Sequence, residues 1–254
     1  MSGNTNKENI ALLTDLLGTI NNETGSKILN AIKRPLIVEI VGLAGAGKTT
    51  LTRTLCQRNE KIQVGVPLDK VRTIPFLLSN TLSLLPTFLR HYRHTRWFTW
   101  SEVRSMDYLR AWHHALARQS RSNDFLVVFD HGPIFRLALL REFGPAITRS
   151  ELFEQWWDNV LNKWMTTLDI VVWLEAPLPI MLERAQDRGH WYLSGDISVQ
   201  EGYEFLGRYQ RAYEQILAQL TINQAVTLLR FNTDEKSPNQ IADEVLVALE
   251  SNSM

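Results

Sequence analysis

The chain has a single cysteine, Cys56, among 254 residues. An internal disulfide framework is therefore excluded, and a reducing compartment such as the cytoplasm is the expectation. Net charge is missing too, because 27 basic residues balance 27 acidic ones. That balance argues against a membrane surface or a long nucleic-acid track as the partner. No apolar run approaches the ~20 residues that a membrane span needs. The first residues lack a basic stretch followed by an apolar core, so no secretory signal is expected. Internal repeats and low-complexity blocks are also lacking. What remains is a soluble globular protein, and 44% hydrophobic residues suffice for a sizeable core.

What is present is an alternation. Short apolar runs rich in β-branched residues fall at 36–41, 62–66, 125–130, 169–176 and 225–231, and each reads as a buried strand. Helical patterns separate them. Over 150–165, Phe153, Trp156, Trp157, Val160, Leu161 and Trp164 keep the 3.6-residue period. Ser198 and Glu201 are spaced as a capping box, and Ser237-Pro238 as an N-cap followed by N1. The pattern predicts an α/β domain, a five-stranded parallel sheet with helices on both faces and right-handed crossovers. Ligands of such sheets bind beyond the carboxyl ends of the strands. Residues 1–34 stand apart. Ile10, Leu13, Leu16, Leu17 and Ile20 fall near one helical face before "NNETGS", which predicts a helical extension ahead of a domain over 35–254.

The tip of the first strand carries Gly42-Leu43-Ala44-Gly45-Ala46-Gly47-Lys48-Thr49, which satisfies G-x-x-x-x-G-K-[ST]. Glycines let the backbone wrap a phosphate with successive N–H groups, and the following helix adds its positive end. Gly42, Ala44, Gly45, Ala46, Gly47, Lys48, Thr49 and Thr50 are thus the candidate nucleotide-binding residues. Lys48 should reach the β- and γ-phosphates, and the Thr49 hydroxyl should ligate Mg²⁺. A strand before the loop and a helix after it supply the context that the motif requires. The third run ends in Asp130, followed by His131 and a Gly132-Pro133 break. A carboxylate at a neighbouring strand tip serves the same Mg²⁺, so Thr49 and Asp130 are the candidate metal residues. A turn-former or helix N-cap is the plainer reading of Asp130.

From residue 36 to about 250 the chain resembles the nucleoside and nucleoside-monophosphate kinases of the P-loop class, above all thymidylate and deoxynucleoside kinases. The phosphate loop, with no long insertion before the second strand, carries part of the resemblance. So does the acid at the third strand's tip, with its short turn into a helix. "VVWLEAPLPIMLERAQDRGH" at 171–190 is similar to their strand, acid-Pro turn and helix leading to an arginine-bearing lid. "EGYEFLGRYQRAYEQI" is similar to the helix after that lid. The resemblance implies strand order 2-3-1-4-5, an acceptor-site insertion at about 68–122 and a lid at about 184–200. It implies ATP and Mg²⁺ as donor, and a small-molecule acceptor that is a nucleoside or nucleotide. Arg184 and Arg188, four apart and so on one helix face, match the lid arginines that fold over donor phosphates. A solvated basic helix end is the other reading, and Arg208 and Arg211 are weaker candidates for the same role. Asp69, after the second strand, matches the acidic base of nucleoside kinases; a turn residue paired with Lys70 or Arg72 is its alternative. The quaternary state stays open, a homodimer included.

The chain departs from that group in two places. His131 stands where those kinases carry arginine, and a histidine is a poor substitute for a bidentate phosphate clamp. Either another arginine takes that part or the acceptor carries less charge. Ala44 lacks the acid common in thymidylate kinase loops. Residues 86–121 are unusual, with seven arginines, four histidines, three tryptophans and two tyrosines against Glu102 and Asp107. They could stack on a base and bind phosphates, or form two amphipathic helices with Trp97, Trp100 and Trp112 in packing contacts. A nucleic-acid 5′ end would also suit such a patch, but the neutral total argues against extended binding. Two other functions remain on the page: a kinase of another small hydroxyl-bearing metabolite, and a nucleotide-binding regulatory protein with slow hydrolysis. The arginine-bearing helix favours a kinase, and the lack of an Asn/Thr-Lys-x-Asp motif disfavours a GTPase-type switch.

Overall fold

Five parallel strands form one sheet in the order β2-β3-β1-β4-β5, the order expected. They are β1 (Leu36–Gly42), β2 (Ile62–Val64), β3 (Leu126–Phe129), β4 (Ile170–Glu175) and β5 (Thr227–Asn232). The computed structural model describes residues 35–68, 70–91, 95–118, 126–188, 198–222 and 226–253. The helix predicted within 1–34 lies outside these residues, as do Asp69 and residues 189–197 of the expected lid. β1 is central, with Val38 beside both Val128 of β3 and Ile170 of β4. Ile37, Val38, Ile40 and Val41 are buried, as are Val127, Val128 and residues 170–174. Helices covering both faces explain why these runs read as unbroken apolar stretches rather than alternating ones. β2 is shorter than its apolar run because Gly65 takes φ +66°, which leaves the extended region.

The helices are α1 (Lys48–Arg58), α2 (Lys70–His91), α3 (Trp100–Arg118), α4 (Pro133–Phe143), α5 (Glu151–Met165), α6 (Leu178–Asp187), α7 (Val199–Ile222) and α8 (Pro238–Ser253), with a short 3₁₀ turn at Ala146–Arg149. Their ends follow the sequence signals. Ser150 Oγ accepts from Phe153 N at 3.3 Å, and Ser198 and Glu201 exchange the two bonds of a capping box. Ser237 and Gln240 do the same ahead of α8. Indoles then lock helices to their neighbours. Trp157 Nε1 donates to Leu137 O at 3.2 Å, Trp164 Nε1 to Leu109 O at 3.0 Å and Trp112 Nε1 to Val66 O at 3.1 Å. Each buried ring thereby contributes its apolar area without leaving a polar atom unpaired. α4 packs on α7, α1 on α8 and α2 on α3. No helix among the described residues is long and apolar enough to cross a membrane.

Candidate active site

Parallel strands bring their carboxyl ends to one edge of the sheet, and the candidate residues gather there. The phosphate loop leaves β1 at Gly42 and enters α1 at Lys48. Gly45 (φ +82°) and Gly47 (φ +90°) hold left-handed backbone. A Cβ on Gly45 would lie 2.1 Å from Met181 O, so the loop packs on α6 so closely that no side chain fits. Lys48 Nζ donates to Gly42 O at 2.8 Å and Leu43 O at 3.0 Å. Burial pushes its ammonium down to about 8; Asp130 pulls it up, and Arg188 pushes it further down. Thr49 Oγ1 donates to Asp130 Oδ2 at 2.8 Å. Asp130 Oδ1 is buried and has no hydrogen-bond partner among the described residues. A hydroxyl and a carboxylate with one unused oxygen make a hard-oxygen set that suits Mg²⁺. Among the described residues no three His, Cys, Asp or Glu side chains cluster as a metal cage. A nucleotide-borne magnesium does not require one, since phosphates and water complete its shell.

Two cavities flank the loop. The first, of about 200 Å³, is lined by Gly45, Gly47, Thr50, Arg184, Arg188 and the β5–α8 turn through Thr233, Lys236 and Pro238. Arg184 Nη1 donates to Thr233 Oγ1 at 3.3 Å, and its Nη2 lies 3.7 Å from Asp234. The second, of about 360 Å³, touches Gly42, Leu43, Ala44 and Lys48 on one side. Its far wall is aromatic. Phe135 of α4 stacks on Tyr209 of α7 with centroids 6.2 Å apart, and Phe143 lies 4.5 Å from Tyr209 and 4.9 Å from Phe205. His131 lines the same cavity, edge-on to Phe135 at 4.7 Å, with its Nδ1 3.8 Å from Asp130 Oδ2. Among the described residues, the only guanidinium on that wall is Arg136.

Arg136 lies near a buried acid. Glu39 sits mid-strand in β1 at 0% exposure. Its carboxyl oxygens accept from Ile134 N at 2.8 Å and Phe135 N at 3.0 Å, satisfying the first turn of α4. Gly132 makes this possible, since a Cβ there would lie 2.7 Å from Glu39 Cδ and 2.6 Å from Phe129 Cβ. Burial pushes the Glu39 carboxyl up to about 8, against the pull of those N–H groups and of Arg136. Burial likewise brings the Arg136 guanidinium down to about 10, which leaves it charged at neutral pH.

Residues 37–199 match the AAA domain family, more than half of the chain. The chain belongs to that family. No curated protein sequence matches it. Its fold is that of nucleoside and nucleotide kinases. Deoxyadenosine kinase from M. mycoides, solved with its products dCMP and dCDP, superposes with a TM-score of 0.51 at 14% identity, covering 85% of this chain and 99% of that one. Thymidylate kinase from Candida albicans gives 0.51 at 15% identity over 87% and 93%.

Within this AAA domain, Lys48, Thr49 and Asp130 come together, and Arg184 and Arg188 face the smaller cavity. Arg208 does not join them: its Nε bonds Glu142 at 2.6 Å and its guanidinium covers Phe143, pinning α7 to α4. Arg211 is exposed on α7. In the Arg-rich region, several members serve packing. Arg96 pairs with Glu102 at 2.7 Å, Arg110 donates to Asn80 at 2.8 Å and Arg104 to the Tyr108 hydroxyl at 2.6 Å. Trp97, in the coil ahead of α3, and Trp112, on α3, make the packing contacts expected, whereas Trp100 is 65% exposed. Sequence reasoning missed Arg136, Glu39 and the β5–α8 turn. The signal for the first two was available, a lone charge inside the apolar runs "PIFRLALL" and "LIVEIV".

Proposed function

We propose that the protein is a phosphotransferase that moves the γ-phosphoryl group of ATP to a nucleoside or nucleoside monophosphate. The donor phosphates lie along the loop and the donor's base lies toward the cavity of about 200 Å³. The acceptor occupies the cavity of about 360 Å³, whose size suits a nucleoside. One observation carries the reading: the phosphate loop is the shared wall of both cavities, and Lys48 lines the acceptor side. Donor and acceptor then meet at Lys48, and positioning is the main requirement of phosphoryl transfer.

Each residue has a part in this reading. Backbone N–H groups of the loop hold the phosphates, and Lys48 leaves its contacts with the loop carbonyls for the γ-phosphoryl oxygens. The Thr49 hydroxyl and Asp130 carboxylate would hold Mg²⁺, directly or through water, and the ion would neutralise charge on the phosphate oxygens. Arg184 and Arg188 take the part of lid arginines and neutralise charge that builds in transit. α2 and α3 form the acceptor-site insertion, and Asp69 is the base if the acceptor is a hydroxyl. The lone Cys56 fits a reducing cytoplasm.

The test is ATP turnover with and without a panel of nucleosides and nucleoside monophosphates. Release of ADP that depends on the acceptor supports the reading. Hydrolysis at one rate whatever the acceptor would replace it with a slow regulatory NTPase.

A further inference from the structure

The acceptor-side cavity carries a charge that the transfer step leaves unexplained. Arg136 is held in place from three sides. Its Nη1 donates to Ser105 Oγ at 3.1 Å, and its guanidinium carbon lies 4.7 Å from the Tyr108 ring and 4.8 Å from the Trp112 ring. Those rings fix the plane of the fork. Its Nε is buried and has no hydrogen-bond partner among the described residues. A guanidinium only donates, and a buried donor left unpaired is costly. The nearby acid does not relieve it: the Glu39 oxygens accept from the N–H groups of Ile134 and Phe135, and among the described residues no hydrogen bond or ion pair joins Glu39 to Arg136. The described wall of the cavity contains Lys48 and Arg136 and no carboxylate.

We propose that Arg136 selects the acceptor, and that it selects for hydrogen-bond-accepting oxygens, on a phosphate or on the oxo edge of a base, against amino-edged acceptors. The inference rests on the reading of this cavity as the acceptor site. An oxygen edge pairs with the fork, whereas an amino edge sets donor against donor. A site built to hydrogen-bond its ligand rejects the analogue that cannot reciprocate far more strongly than a purely apolar pocket does.

Calorimetric titration tests this directly. The probes are thymidine and deoxyguanosine, which carry an oxo edge, and deoxycytidine and deoxyadenosine, which carry an amino group at the equivalent position. Each is used as nucleoside and as 5′-monophosphate, against wild type, Arg136→Met and Arg136→Lys. Wild type should favour oxo over amino bases, or monophosphates over nucleosides, by roughly ten- to a hundredfold. The first preference identifies a base carbonyl at Arg136, the second a phosphate. Arg136→Met should erase that preference, and Arg136→Lys should restore part of it, keeping charge without the fork. In transfer assays the loss should appear in KM rather than kcat. Near-UV circular dichroism checks folding. If Arg136→Met does not fold, Ser105→Ala, which removes the anchor of the fork, must lower the preference several-fold. Three results overturn the proposal: no preference in wild type, a preference that survives these substitutions, or no binding by any probe. A preference that depends on Arg136 without acceptor-dependent ADP release would leave this inference standing and remove the kinase reading.

Discussion

On one side of the phosphate loop, the smaller cavity is walled by glycine backbone, Thr50 and two arginines four residues apart. On the other, the larger cavity is assembled from Ser101 and Ser105 of α3, Phe135 and Arg136 of α4, and Tyr209 and Tyr213 of α7. The loop's share of the first side is local in sequence, a run of main-chain N–H groups suited to phosphate, while the rest of that wall comes from α6 and the β5–α8 turn. The second gathers side chains from helices more than a hundred residues apart and presents aromatic rings together with Lys48 and the Arg136 guanidinium. A phosphate is the same in every nucleotide, so a short backbone motif suffices for it. An acceptor has individual shape and edges, and only converging side chains can match them.

Substitutions should separate the two sides, beginning with the largest effect. Lys48→Ala should lower kcat by roughly 10²–10³-fold, the scale for losing one donor aimed at developing charge. Thermal unfolding should hardly move, because Lys48 bonds only the carbonyls of Gly42 and Leu43. Near-wild-type turnover would detach the loop from the activity. Next, Asp130→Asn should raise the Mg²⁺ concentration for half-maximal rate by about tenfold or more while the fold persists. A magnesium titration checks it, and an unchanged midpoint would reduce Asp130 to a turn residue. Arg184→Ala and Arg188→Ala should each reduce kcat about tenfold with little change in nucleotide affinity. Equal kinetics in both variants and wild type would take α6 out of the mechanism.

The fold and the phosphate-loop part of the candidate site were largely legible in the sequence. Unbroken β-branched runs can be satisfied only by a sheet covered on both faces, and the glycine spacing of 42–47 has few structural uses besides a phosphate loop. The acceptor side was not, for a physical reason. Its residues come from several segments, and of the described arginines at 86–121, Arg96 goes to Glu102 and Arg110 to Asn80. The guanidinium that lines the cavity, Arg136, is the lone charge in the apolar run "PIFRLALL" of α4. Its companion Glu39 is equally alone in β1, and Gly132 provides the clearance where the two segments meet. A lone charge in a buried run was the usable clue, because burial without a partner is prohibitive.

Smaller effects should appear in stability beneath the acceptor cavity. The Glu39 carboxyl is raised from 4.5 to about 8 in the fold. Between those values the folded chain keeps a proton that the unfolded chain has released. Stability should therefore fall as pH rises from about 5 through 8, by on the order of a few kcal/mol. Glu39→Gln removes that proton from the balance, so its melting temperature should vary less across the window. Parallel melting curves for the two proteins would show that Glu39 is already ionised in the fold.

In the proposed function the two cavities bind the two partners of one transfer reaction. The most direct measurement follows the label from γ-³²P-ATP in a single turnover, with each nucleoside and monophosphate in turn and Lys48→Ala as the control. The account predicts label on the acceptor, formed at a rate that depends on which acceptor is present and lost in the control. Label recovered only as inorganic phosphate, at one rate for every acceptor and for none, would contradict it.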